Sequence, residues 1–343
     1  MSKISFGWPS VLTSLFLAVC VHLPAPRGVA AAVTPRPASG DSSQARRPRT
    51  DSELRAWLLN MVTHHGYTAQ EVSAATGLDP QDVLDALRVY RLSPGFKAPP
   101  DDTSPLRVMP YPGGRHPRIG FLEGAVDPQR ETKLSVFAPW DVRSYVVIDV
   151  PEAIWSNLGL TYLAHTHVPT LWSRSNIVLP RLEWRRRKDG SFFIERRLPN
   201  GIGFSTKALP ARDAVRLEMR LTNGTPSRLT DLRVQMCGML KGMAGFQAQT
   251  NANKIFAPPF SACKSDDGKR WIIWAWEPVH RAWGNSPVPC LHSDPKFPDC
   301  EPGETKVVRG WLSFYEGADV QPELRRIEQD PWLMEAATGA TGP

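Results

Sequence analysis

From Arg118 onward this chain is written in short β-type runs separated by turn residues, and that pattern limits the folds open to it more than any other feature. The runs fall at residues 134–137, 145–150, 192–196, 202–208, 215–221, 232–236, 271–276 and 307–314. Several alternate with period two. Val215, Leu217, Met219 and Leu221 share one face, and Arg216, Glu218 and Arg220 the other, as a strand with one covered and one wet face requires. Asp189-Gly190, Asn200-Gly201 and Asn223-Gly224 are hairpin-type turns. Many strands at short spacing, with no long helix between them, predict an antiparallel β-sandwich over residues 118–318. A helix over residues 321–335 is expected in the C-terminal segment 319–343, with Pro331 able to cut it short.

The N-terminus is a different kind of sequence. Lys3 gives a short basic start, residues 11–23 form a mostly apolar run too short for a comfortable membrane span, and Val29-Ala30-Ala31-Ala32 supplies small residues. Residues 1–32 therefore read as a signal peptide cleaved after Ala31 or Ala32, leaving a mature chain without a transmembrane span and a periplasmic or extracellular location. Residues 33–50, rich in Pro, Ser, Ala and Arg, read as a disordered linker.

Export changes how the cysteines are read. Cys20 leaves with the signal, and Cys237, Cys263, Cys290 and Cys300 remain in a compartment where disulfides persist. Of the possible pairings we favour Cys290 with Cys300, closing a short loop, and Cys237 with Cys263, closing a longer one. The rival is a zinc site, but no pair has C-x-x-C spacing.

Residues 51–95 form a small helical module. Asp51 or Ser52 can cap a first helix carrying Leu54, Trp57, Leu58, Met61 and Val62. Thr68 with Glu71 makes a capping box for a second helix ended by Gly77, and Asp79-Pro80 opens a third. The arrangement resembles a helix-turn-helix of the sigma-factor or repressor type. Its third helix, however, carries Asp79, Asp82 and Asp85 ahead of Arg88, and these would repel phosphates. Nucleic acid is thus disfavoured, and the module reads as a packing unit or as a protein-contact surface over residues 51–92. A Pro/Gly-rich connector follows at 96–117. The net charge of +7 on an exported chain suits an acidic polysaccharide better than DNA. The basic run Arg185-Arg186-Arg187-Lys188 before Asp189-Gly190 reads as the wet end of a hairpin.

Two resemblances follow from longer stretches. The run Asp149-Val-Pro-Glu-Ala-Ile-Trp-Ser-Asn-Leu-Gly-Leu-Thr-Tyr-Leu-Ala-His-Thr-His167 resembles an uncharacterised family of exported bacterial proteins. So do Glu195-Arg-Arg-Leu-Pro-Asn-Gly201, Cys290-Leu-His-Ser-Asp-Pro-Lys-Phe-Pro-Asp-Cys300 and Arg309-Gly-Trp-Leu-Ser-Phe-Tyr-Glu-Gly317. That likeness brings no activity with it. The phrase Val215-Arg-Leu-Glu-Met-Arg-Leu-Thr-Asn-Gly-Thr225, with residues 229–234 and Pro302-Gly-Glu-Thr305, is similar to the β-supersandwich of galactose mutarotase-like proteins. The resemblance implies a sugar-binding or sugar-processing domain. The block after the Thr-Asn strand is Cys237-Gly-Met-Leu240 and holds no histidine, so the catalytic histidine of mutarotases is not carried over.

The chemistry-bearing residues are expected in two places. His165 and His167, one residue apart, would share a strand face and could hold a metal or divide acid and base roles. His292 and Asp294 sit in a proline-stiffened loop over residues 288–300; folded over the histidine pair, they would complete a cluster acceptable to a divalent metal. Glu277 is a further catalytic candidate. Trp283, Glu183, Arg196, Gln247 and Asn251 are candidates for binding a sugar, the amides through an alternating series with Gln249 and Asn253. A charged strand residue is more often simply solvated, a buried tryptophan more often plain core, and a polar series more often a loop. The leading expectation is an exported carbohydrate-binding or carbohydrate-processing protein. The alternative is a non-catalytic envelope scaffold whose helical module binds a protein partner.

Overall fold

Each expected β-type run overlaps a strand, six of the eight to within two residues at both ends, while β-structure runs six residues past 150 and three past 236; seven further strands accompany them among the described residues. The computed structural model describes residues 45–95, 104–120, 130–165 and 168–337. The segment expected to be a signal peptide, most of the expected linker, part of the connector and His167 lie outside the described residues.

Three helices come first, Asp51–Leu58 (α1), Ala69–Thr76 (α2) and Pro80–Val89 (α3). Strands Val108–Pro110 (β1), Lys133–Phe137 (β2), Tyr145–Ser156 (β3) and Gly159–Leu163 (β4) follow, then the single turn Leu171–Arg174 (α4). The chain continues through Arg185–Arg186 (β5), Phe192–Arg197 (β6), Gly203–Pro210 (β7), Val215–Thr222 (β8), Val234–Met239 (β9) and Lys254–Ala257 (β10). It ends with Phe260–Lys264 (β11), Arg270–Glu277 (β12), Val279–Trp283 (β13), Cys290–Pro295 (β14), Thr305–Glu316 (β15), Gln321–Glu328 (α5) and Pro331–Ala337 (α6).

The strands form two antiparallel sheets. The first runs β1-β2-β3-β9-β14-β13, with β4 also on β3; the second runs β10-β11-β12-β15-β8-β7-β6-β5. Their inner faces share one apolar core that includes Ile148 and Leu291 from the first sheet and Leu217, Trp274 and Trp276 from the second, so the fold is a β-sandwich. On β8 the alternating residues 215, 217, 219 and 221 are buried as the pattern requires. On β12 both faces are covered, which is why its sequence does not alternate. Ile272, Trp274 and Trp276 enter the shared core, while Trp271, Ile273 and Ala275 pack under α5 and α6. Gly310 on β15 lies opposite Trp276, where an added Cβ would stand 2.4 Å from the indole.

The helical module is docked on the outer face of the first sheet. Its own core is Leu58, Met61, Val62, Val72 and Val83 among others. Thr68 and Glu71 form the expected capping box, and Gly77 takes φ +68° at the end of α2. The first helix is capped by Thr50, one residue before the expected position, and winds on as a π-helix through His64. His65 Nε2 meets Ser135 Oγ at 2.8 Å, and Asn60 donates to the Pro110 carbonyl at 2.9 Å. Arg115 bridges the module to the sheet by pairing with Glu71 and donating to the Tyr145 hydroxyl.

Several expectations need correcting. Residues 288–300 are not a single loop: β14 occupies Cys290–Pro295, between β9 and the edge strand β13 of the first sheet. Asn223-Gly224 does not close a hairpin, because β8 pairs with β7 and β15 and the chain crosses to the first sheet; the Asn223 side chain donates to the carbonyls of Ser227 and Cys300. The last helix is cut into α5 and α6 at Pro331. All four cysteines are free. Cys300 bridges to Leu229 and Cys290 lies beside Cys237 on the neighbouring strand, so the expected pairs do not face each other. The connector contributes β1, so the sheet begins before residue 118.

Candidate functional site

The site is built where two strands lose register. Between Asp149 and Ala153, four residue steps of β3 oppose two of β9, from Cys237 to Gln235. The extra residues bulge out and re-aim the Glu152 side chain. The Ala164 N–H donates to the Glu152 carbonyl at 2.8 Å, which brings His165, just past the end of β4, against the same residue. On β13 a second irregularity between Val279 and Arg281 sets Trp283 opposite His292 of β14. Along β14, Cys290, His292 and Asp294 share one face, while Leu291 enters the core on the other.

The result is a cleft of about 250 Å³ with a polar floor of Arg118, Glu152, Gln235, Asn285, Cys290 and His292. Its walls are Trp155, Trp283, Leu160, Leu163, Val168 and Val288. Glu152 is the hub. Its Oε1 forms an ion pair with Arg118 and lies 2.7 Å from His165 Nε2. Its Oε2 accepts from Gln235 at 2.9 Å and lies 3.9 Å from His292 Nδ1. Burial opposes its charge, but Arg118 and the two imidazoles outweigh that and hold the carboxyl well below the ordinary glutamate range. Burial draws His165 down, with Glu152 resisting.

Trp283 stacks on His292 with ring centroids 4.0 Å apart and planes 13° apart. Its indole N–H donates to Asp294 Oδ2 at 2.7 Å, and Arg281 donates to the same oxygen at 2.7 Å. The Met236 N–H occupies the other oxygen at 3.0 Å. Burial opposes charge on His292, yet the Cys290 sulfur and the Asp294 carboxylate push it up to about 10. Hydrogen bonding from Cys237, against burial and with the His292 charge, draws Cys290 down to about 4, while burial holds Cys237 far above the ordinary thiol range.

His165 and His292 therefore converge on Glu152, and Asp294, on the same face of β14 as His292, joins them through His292. His165 lies in a bend beyond β4 rather than on a strand, and His167 lies outside the described residues. Trp283 lines the cleft as expected, but Glu277 does not. It ends β12 in the other sheet and accepts the Val279 N–H, and burial raises its pKa.

The sugar-binding candidates outside the cleft are already engaged. Glu183 pairs with Arg46 at 2.7 Å and Arg196 with Glu131 at 2.9 Å. Gln247, Gln249, Asn251 and Asn253 do not form an alternating strand face. Each donates to a backbone carbonyl, those of Lys241, Pro287, Gly284 and Lys264 respectively, so these amides brace the turns around the cleft.

Glu152, Arg118 and Gln235 were missed by the residue reading. For Glu152 the signal was present: Asp149 and Glu152 flank a proline inside an otherwise apolar run, and charges are seldom placed there without partners. Arg118 and Gln235 carry no such mark.

No family model and no curated protein matches the chain. Among solved structures it is similar to an Escherichia coli K12 protein provisionally assigned as an aldose 1-epimerase, at 9% identity and TM-score 0.31, covering 40% of this chain and 69% of that one. It is also similar to a human-microbiome protein provisionally assigned as a kojibiose phosphorylase, at 8% identity and TM-score 0.36, covering 57% of this chain and 26% of that one. A third is the GH36 α-galactosidase AgaA of Geobacillus stearothermophilus, at 9% identity and TM-score 0.27, covering 52% of this chain and 34% of that one.

Proposed function

We propose that this is an exported carbohydrate-processing protein whose cleft binds a single sugar ring and carries out acid–base chemistry on it, with Glu152 as the proton acceptor. The observation that carries the reading is a buried, doubly held carboxylate on the floor of a cleft walled by two indoles. Indole faces suit the apolar C–H faces of a pyranose, and Arg118, Gln235 and Asn285 offer donors to its hydroxyls. The volume lies just under the ~300–1,000 Å³ of drug-sized sites, which favours one ring over a long bound chain. Glu152 and His292 both line the cleft, with Oε2 3.9 Å from His292 Nδ1, so a hydroxyl reaching Oε2 would meet a base. Arg281, half-exposed beside Trp283, would favour an acidic sugar at the rim. Export rests on the reading of residues 1–32.

The test is a titration of the full chain with neutral and uronic-acid sugars, followed by tryptophan emission and by assays for epimerisation, elimination and hydrolysis. A saturable change, absent in Trp283→Ala, supports the proposal. No saturable response to any sugar at millimolar concentration overturns it.

A further inference from the structure

Cys237, Cys290 and His292 form a second cluster of donors beside Glu152. His292 on β14 pairs across the ladder with Cys237 on β9, and Cys290 stands two residues before His292, so all three side chains share the outer face of the first sheet. One sulfur from each cysteine and one ring nitrogen of His292 lie within 4.8 Å of one another, all buried. His292 Nδ1 is buried without a hydrogen-bond partner; the nearest carboxylate oxygens, on Asp294 and Glu152, stand 3.8 and 3.9 Å away. An unsatisfied polar atom in such a place costs free energy that a ligand would relieve.

We propose that Cys237, Cys290 and His292 bind a thiophilic divalent cation of the zinc class, with its fourth coordination position open to the cleft. Two thiolates and an imidazole are a borderline-soft donor set that suits zinc. Zn–S and Zn–N bonds put tetrahedral donor atoms roughly 3.5 Å apart, so donors already this close need to move on the order of 1 Å. Either ring nitrogen of His292 serves. If Nδ1 ligates, it gains its missing partner. If Nε2 ligates, Nδ1–H faces the Asp294 and Glu152 carboxylates as outer partners.

Binding needs both sulfurs as thiolates and the ring neutral, so it releases two protons from the cluster to solvent. Two thiolates then neutralise the dication, and the Arg118–Glu152 pair beside them stays balanced. Cys290 and His292 line the cleft, so a water or a ligand hydroxyl takes the fourth place. Three protein ligands and an open position are the pattern of a reactive metal site rather than a closed structural one. The donors come from two strands, which is why no C-x-x-C spacing announced them. The inference rests on this cleft but not on its ligand being a sugar.

The test loads the reduced full-length chain with cobalt(II), then with zinc(II), in the absence of sugar. The expected result is about one equivalent of metal per chain, a thiolate-to-cobalt charge-transfer band, and zinc protection of Cys237 and Cys290 from alkylation with Cys263 and Cys300 unaffected. His165→Ala should keep the band, and Cys237→Ser or Cys290→Ser should lose it. A wild-type chain that shows no cobalt band overturns the proposal, and that reading needs no variant to fold. An unchanged band in the Cys237→Ser/Cys290→Ser double variant also overturns it, as does a Cys237–Cys290 disulfide that re-forms in place of metal binding. Because no sugar is present, a negative result here leaves the glycan titration standing, and the reverse holds too.

Discussion

Glu152, which lines the cleft, and His165, buried behind it and 13 residues away in the chain, meet at 2.7 Å because a bulge in β3 turns one toward the other. The same carboxylate oxygen pairs with Arg118, and both side chains of that pair are almost wholly buried. The contact therefore does two things at once: it balances a buried arginine and it holds a carboxylate fixed at the lining of the cleft.

Replacing Glu152 by Gln should separate those roles. The amide keeps the shape but leaves Arg118 without its counter-charge, and breaking one partner of a buried pair costs about 3–5 kcal/mol. Denaturant midpoints should fall accordingly, and Arg118→Met in the same chain should recover part of the loss. If Glu152 is the base, turnover of a bound sugar should drop by about 10²–10⁴ while affinity changes far less. Equal turnover in the variant would remove Glu152 from the chemistry.

Trp283→Ala removes the ring stacked on His292 and the N–H donated to Asp294. Aromatic contacts of this kind are worth about 0.5–1.5 kcal/mol beyond area, so a sugar should bind up to about tenfold more weakly. Trp283→Phe, which keeps a ring but not the donor, should fall between the two in an isothermal titration. Identical affinity in all three chains would place the sugar elsewhere.

The strands were legible because alternation survives wherever one face of a strand is wet, as on β8. β14 was not, because its polar residues, its closing Pro295 and the flanking Pro289 look like a loop. The polar residues are tolerated in a strand paired on both sides because those on one face are held by β9, β13 and the bulge of β3. His292, Asp294, His165 and Trp283 were legible as unusual chemistry in apolar surroundings. Their hub was not, since the turn of Glu152 toward the cleft depends on a register shift between β3 and β9, strands far apart in sequence. The cysteine pairing failed for the same reason: loop length says nothing about which strands become neighbours.

Beneath the cleft lies a second buried pair, Lys133 with Asp149 at 2.7 Å, both side chains fully buried. Thr132 also donates to Asp149, at 2.6 Å. Lys133→Met or Asp149→Leu alone should each cost about 3–5 kcal/mol, since either leaves an uncompensated buried charge. The double variant should cost clearly less than the sum, by a coupling energy that a double-mutant cycle on urea midpoints measures. Additive losses would mean the two charges do not rely on each other.

The docking of the helical module should give the protein a measurable acid sensitivity through His65. Its ring lies edge-on to Phe137 and Tyr145 at centroid distances of 5.1 and 5.0 Å, and its nitrogens meet the Asn60 carbonyl and Ser135 Oγ. Burial lowers its pKa from 6.5 to about 3, with Arg115, His64 and Arg107 adding to the shift and the Asn60 carbonyl opposing it. Above the unfolded-state pKa neither state holds the proton, and the full stability is present. As pH falls from there toward 3, the unfolded chain takes a proton that the folded chain refuses, so stability is lost at up to about 1.4 kcal/mol per pH unit. Below the folded pKa both states are protonated and this loss levels off. Carboxylates add their own acid loss, so the discriminating quantity is the difference in slope between wild type and His65→Gln. Urea midpoints measured from pH 7 to pH 4 should fall more steeply in the wild type, even though the variant is the less stable chain at pH 7. Parallel slopes would mean that His65 is protonated, or free to become so, while the module stays docked.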